Sequence, residues 1–114
     1  MGTVNFEIKI ATDNTDEIKT YAREAVIRAL TAVSIQASNY ATLLCPVDTG
    51  RLRASISNWT DDAELAAYIG TNVEYAAYVE YGTTRTAAQP FIKPAANDHQ
   101  PEYAAIFEEY LKNA

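Results

Sequence analysis

Asp48-Thr49-Gly50 has the residue types and order that could do chemistry. A carboxyl group on a tight turn, facing its counterpart from a second copy, would share a proton with it and activate a water. The rest of the chain gives such chemistry little support. His99 is the one histidine and Cys45 the one cysteine. A catalytic triad, a histidine-rich metal site and an intramolecular disulfide therefore all lack partners. Cys45 reads as a small apolar residue at a helix end, and His99 as a surface side chain near a helix start. The sequence has no glycine-rich phosphate loop and no nucleophile elbow. Glu74 and Glu80 have no base near them in sequence and read as solvated or ion-paired glutamates. No catalytic residue, metal ligand or cofactor is expected.

The chemistry of recognition is better represented. The chain holds eight tyrosines, and Tyr68, Tyr75, Tyr78 and Tyr81 crowd one short stretch. Aromatic side chains with a polar tip are enriched at protein interfaces. Core packing explains Tyr75 and Tyr78 at least as well. Tyr81, beside Gly82 and a polar loop, is the better interface candidate. Nine basic residues against fifteen acidic ones give a net charge of −6. Nucleic-acid binding that rests on lysine and arginine contacts to phosphate is not expected from that balance. The basic residues Arg51, Arg53, Arg85 and Lys93 gather in the middle of the chain, while acids concentrate in 13–24 and 102–109. Such asymmetry suits complementary patches and self-association, although ordinary solvated charge accounts for it equally. The candidate subunit-interface residues are Arg51, Arg53, Tyr81, Arg85, Phe91 and Lys93.

The elements that must position these residues follow from periodicity. Val4, Phe6, Ile8 and Ile10 alternate with Asn5, Glu7 and Lys9, the period of a half-buried strand. Asn14 and Glu17 match a capping box, and the apolar spacing then predicts a helix to about Leu44. Thirty residues of helix would span about 45 Å, against a radius of gyration of about 13 Å for a compact domain of this size. Either the helix kinks or another subunit covers part of its apolar face; the second reading is slightly favoured. Pro46 ends it, and Asp48, Thr49 and Gly50 form a structural turn in which Thr49 caps a short helix, 51–55. Residues 56–60 and 65–71 read as a hairpin, with Leu65, Ala67 and Ile69 on one face. Residues 74–81 read as a helix closed by Gly82, a second structural turn position. Residues 83–90 read as an exposed, mobile loop that orders on assembly. Phe91 to Lys93, bracketed by prolines, reads as extended or as an edge strand. A last helix carries Tyr103, Ile106, Phe107, Tyr110 and Leu111, beginning near Asp98, or at Pro94 with a kink. A single domain, 1–114, is expected. No apolar run approaches the roughly 20 residues that span a bilayer. The first residues do not form a secretory signal, so the chain is expected to stay where it is made.

Two families share motifs with this sequence. Asp48-Thr49-Gly50 is the tripeptide of the aspartic proteases, and Ile69-Gly70-Thr71-Asn72 is similar to their glycine turn. Three observations oppose that reading: the long helical pattern is foreign to an almost entirely β family, Gly70 follows Asp48 too soon, and Arg51 stands where the family has a small residue. The dimeric protease stays a remote alternative. The second resemblance rests on four segments in order. They are Pro46-Val47-Asp48-Thr49-Gly50-Arg51-Leu52-Arg53-Ala54-Ser55-Ile56, Ile69-Gly70-Thr71-Asn72-Val73-Glu74-Tyr75-Ala76, Tyr78-Val79-Glu80-Tyr81-Gly82-Thr83 and Ala88-Gln89-Pro90-Phe91-Ile92-Lys93-Pro94-Ala95. Together they resemble the gene-product-ten-like family of tail components of tailed bacteriophages.

That resemblance implies an α+β fold, a small antiparallel sheet packed against one long helix, with a second helix at the C-terminus. It implies a structural part of the virion neck, acting in head-tail joining or tail completion, with neck and tail proteins as neighbours. Such a subunit is expected to act as one copy of an oligomeric ring through which DNA passes without sequence-specific binding. It would be made and assembled in the host cytoplasm, from a phage or a prophage, and would touch no membrane. A tail-tube or minor capsid protein elsewhere in the virion is the alternative.

Overall fold

The structure, a computed structural model, describes residues 4–8, 23–46 and 50–112. Strand β1, Val4–Ile8, contains the alternating residues of the first pattern; Ile10 and the expected cap at Asn14 and Glu17 lie outside the described residues. Helix α1 runs Arg23–Leu44, about 33 Å at 1.5 Å per residue. Helix α2, Gly50–Ser55, leads into β2, Ser57–Asp61, and β3, Ala66–Thr71. Helix α3, Ala76–Tyr81, is followed by α4, Ile92–Asn97, and α5, Gln100–Lys112. The result is an α+β fold in which one sheet packs against one long helix.

The sheet has the order β1-β3-β2, antiparallel throughout. The register sets Val4 opposite Thr71, Phe6 opposite Ile69 and Ile8 opposite Ala67. Side chains alternate across a strand, so these six share one face, which α4 covers at β1 and α1 covers at β3 and β2. Ala29, Val33, Ala37 and Ala41 of α1 are all buried, and their small size allows close approach. On the opposite face Trp59 pairs with Tyr68 across β2 and β3, rings 5.7 Å apart and nearly parallel. Strand β2 turns Asn58 inward, where it donates to the Ser38 hydroxyl and accepts from Ser34. Three polar side chains thus satisfy one another between sheet and helix.

Several expectations are corrected. Leu65 was expected on the inner face of β3. It ends the preceding turn instead, with φ of 53° and its side chain partly exposed. Asp61 dictates this, because its Oδ1 accepts the backbone N–H groups of Ala63 and Glu64 and curls the chain early. The segment at Phe91 is not an edge strand: it starts α4, with Pro94 tolerated in the first turn. The last helix begins at Gln100, two residues past Asp98, and the turn at Asp98 and His99 separates it from α4, which holds Pro94. Leu43 and Ile35 point outward from α1, Leu43 at 75 % exposure.

Candidate functional site

The polar and aromatic residues singled out by sequence converge on α3, the loop 83–90 and α4. The unit is organised by Glu80, which lies in α3 and is only 2 % exposed. One carboxyl oxygen accepts the backbone N–H groups of Phe91 and Ile92 at 3.1 and 2.8 Å, and the other accepts that of Lys93 at 3.1 Å. Backbone donors at a helix start have no partner within the helix, so a side chain from another element can cap them. Glu80 is therefore neither solvated nor ion-paired, as its sequence context suggested. Its partners are backbone groups more than ten positions away, which no local pattern announces. Phe91 and Ile92, delivered by this clamp, are fully buried.

Between the two helices the chain closes on itself. Gly82 ends α3 with φ of 77° and ψ of 176°, a region open in practice only to glycine, and donates its N–H to Tyr78 O. A Cβ there would meet Ala88 N at 2.7 Å and Thr86 O at 2.9 Å. The Thr83 N–H donates to Thr86 O, and the Thr83 hydroxyl accepts the N–H groups of Arg85 and Thr86. The Gln89 N–H returns to Val79 O. The loop is exposed, yet its backbone is tied at both ends.

Beside it lies an apolar cleft of about 210 Å³, whose walls include Pro46, Tyr75, Tyr78, Val79, Thr83 and Thr86. Tyr78 and Tyr81 are 57 % and 60 % exposed, so neither serves the core. Arg51 grips Glu74 through two 2.8 Å hydrogen bonds while its guanidinium lies 5.6 Å from the centre of the Tyr75 ring. The arginine holds the Glu74 carboxyl below the usual range, chiefly through those hydrogen bonds. Arg85 and Lys93 are exposed, and Arg53 is half-buried. Of the six interface candidates, Tyr81, Arg85 and Lys93 are exposed, Arg51 is engaged within the chain, and Phe91 is buried in the core. Asp48 and Thr49 lie outside the described residues; Gly50 opens α2 with open space around it.

A second polar cluster joins α1 to α5. Tyr40 donates to one oxygen of Glu102, Gln36 donates to the other, and His99 stacks on Tyr40 with ring centres 3.7 Å apart. Glu102, through its hydrogen bond, pushes the Tyr40 phenol above its usual pKa. Tyr103 beside them is fully buried and donates to Ala95 O. Cys45 is buried just beyond α1, the apolar helix-end position its sequence context suggested.

Among the described residues no three of histidine, cysteine, aspartate and glutamate are placed to hold a metal ion, and no helix is long and apolar enough to cross a membrane. What the fold presents is a small α+β subunit whose exposed features are suited to protein contact. A family model described as "Bacteriophage HK97-gp10, putative tail-component" matches residues 9–82. The chain belongs to that family of phage tail components, which locates it in the virion among other tail proteins. No curated protein and no solved structure matches the chain.

Proposed function

We propose that this chain is a non-catalytic subunit of the phage neck, acting in head-tail joining or tail completion as one copy of a ring. The observation that carries this reading is the apolar cleft walled by Tyr75 and the exposed Tyr78 on an acidic chain, a feature suited to docking. A ring needs two different surfaces on each copy, joined by a rotation that closes. The loop 83–90 would dock as a preformed unit, with Arg85 and Lys93 meeting acidic groups of a neighbour. An acidic channel wall would let DNA pass without adhering, and the net charge of −6 supports that role. Assembly would take place in the host cytoplasm.

The test is electron microscopy of lysates from a phage or prophage with this gene disrupted. Filled heads lying apart from normal-length tails are the expected result. Tails of altered length would favour a tail-tube role and defective heads a minor capsid role. Intact infectious virions would overturn the proposal.

A further inference from the structure

We propose that β2 is a pairing edge, joining the β2 of a second copy of this chain antiparallel about a two-fold axis at Trp59, so that two three-stranded sheets become one of six strands. Such a contact closes on itself, whereas a ring needs two different surfaces, so the inference goes beyond the ring reading and does not depend on it. Strand β2 ends the sheet, and among the described residues its strand partner is β3 alone. The outer side of an edge strand carries backbone N–H and C=O groups that another strand can take, and proteins commonly blunt it with proline, lysine or a bulge. Strand β2 is Ser-Asn-Trp-Thr-Asp, paired one for one with β3, and has none of the three. Its one charge, Asp61, is turned to the backbone of the following turn. Ser57, Asn58 and Trp59 are exposed.

Two apolar side chains flank that edge, one on each face of the sheet. On the outer face Trp59 stacks on Tyr68 yet stays 39 % exposed. On the other face Ile35 of α1 is 48 % exposed. Ser34 and Ser38 both bond to Asn58, which sets Ile35 level with the middle of β2. At about 100° per residue, Ile35 lies on the flank of α1 beyond those serines, on the side away from β3. Thr31 and Thr42 share the flank, their hydroxyls bonded to the carbonyls of Ile27 and Ser38. Strand spacing then brings two such flanks together. Strands lie about 4.8 Å apart and α1 packs over both β2 and β3, so it runs about 5 Å from a two-fold axis at the β2 edge. The two copies of α1 would lie about 10 Å apart, and packed helices are separated by roughly 8–10 Å. Each Ile35 would meet the other in that seam. The pleat fixes the register, because outer-face residues must oppose outer-face residues. Overlap of all five residues sets Trp59 opposite the second copy's Trp59, and Ser57 opposite its Asp61, with no two acids facing.

The experiment is sedimentation velocity of the full chain over a range of concentrations, joined to mild oxidation of Trp59→Cys and Ser57→Cys. Thermal melting checks that each variant folds. The wild type is expected to form a dimer. Ile35→Glu, a change at an exposed helix position, is expected to weaken it by about tenfold or more. A cysteine at position 59 faces its counterpart across the axis within disulfide reach, so Trp59→Cys is expected to be trapped as a covalent dimer. A cysteine at position 57 lies about 14 Å from its counterpart, four residues along the strand, so Ser57→Cys is expected to stay uncrosslinked. Cys45 is buried and serves neither reaction. A wild type that stays monomeric, a dimer that Ile35→Glu leaves unmoved, or equal crosslinking at 59 and 57 each overturns the pairing. The ring reading fails on a separate measurement, the number of copies at the joint of purified particles.

Discussion

Glu80 shows how one side chain can decide a local fold. Its oxygens take the three backbone donors that open α4, and without them those donors are buried or half-buried with nothing to bond. Leaving such groups unsatisfied costs about 1–3 kcal/mol, so Glu80→Ala should destabilise the chain by about 3 kcal/mol and Glu80→Gln, which keeps one acceptor oxygen, by about 1 kcal/mol. Urea denaturation measures both. Gly82 and Gly70 are constrained differently. Gly82→Ala forces a side chain into glycine-only backbone space and against the loop, and should cost about 2 kcal/mol. At Gly70 a Cβ would meet Asn5 Oδ1 at 2.0 Å and the Val4 carbonyl oxygen at 2.7 Å. The asparagine could swing away but the carbonyl belongs to the sheet. Gly70→Ala should therefore cost about 1–3 kcal/mol, and adding Asn5→Ala should fail to restore the loss.

At the scale of elements, α5 is fastened to α1 and α4 by tyrosines. Burial pushes the Tyr103 phenol well above its ordinary pKa, with the neighbouring Glu102 and Tyr40 acting in the same sense. The sign of the linkage follows. An unfolded tyrosine loses its proton near pH 10, whereas Tyr103 in the fold still holds its own, so the unfolded state binds fewer protons there. Stability contributed by Tyr103 is thus present below about pH 10 and is lost as pH rises above it. Melting between pH 8 and 11 should show that decline, and Tyr103→Phe should flatten it while costing about 1 kcal/mol at neutral pH for the lost bond to Ala95. The elements also differ in how far sequence revealed them. Strand β1, α1 and β3 follow from spacing because each buries a face whose period the residues repeat, whereas α2 and the turn of the hairpin were marked by cap and turn residues. Helix α4 did not, because it is six residues with Pro94 inside its first turn and its start is held by a glutamate on another helix.

For the whole molecule, the exposed tyrosines separate folding from assembly. Tyr78 and Tyr81 stand on the surface, so replacing both with serine should leave stability within about 0.5 kcal/mol of wild type. The same double variant should enter virions at least about tenfold less well in a complementation assay, as expected when interface aromatics are truncated. Loss of stability equal to the loss of incorporation would mean that these rings serve the fold instead. Ile35, Leu43 and Leu44 at the outer side of α1 are a second exposed apolar set.

The sequence by itself determined the fold class, the long helix, the hairpin and the membership of a phage tail-component family, because periodicity and an ordered set of motifs are properties of the chain alone. It also singled out tyrosines and basic residues around Gly82, of which Tyr78, Tyr81, Arg85 and Lys93 are exposed. Only tertiary structure decided the role of each residue there. Tyr78 and Phe91 are both aromatic neighbours of the same loop, yet one faces solvent and the other the core. That division depends on which backbone groups Glu80 reaches across the loop and on how Gly82 turns the chain back. Contacts between residues distant in sequence are set by packing, which no spacing within a segment encodes.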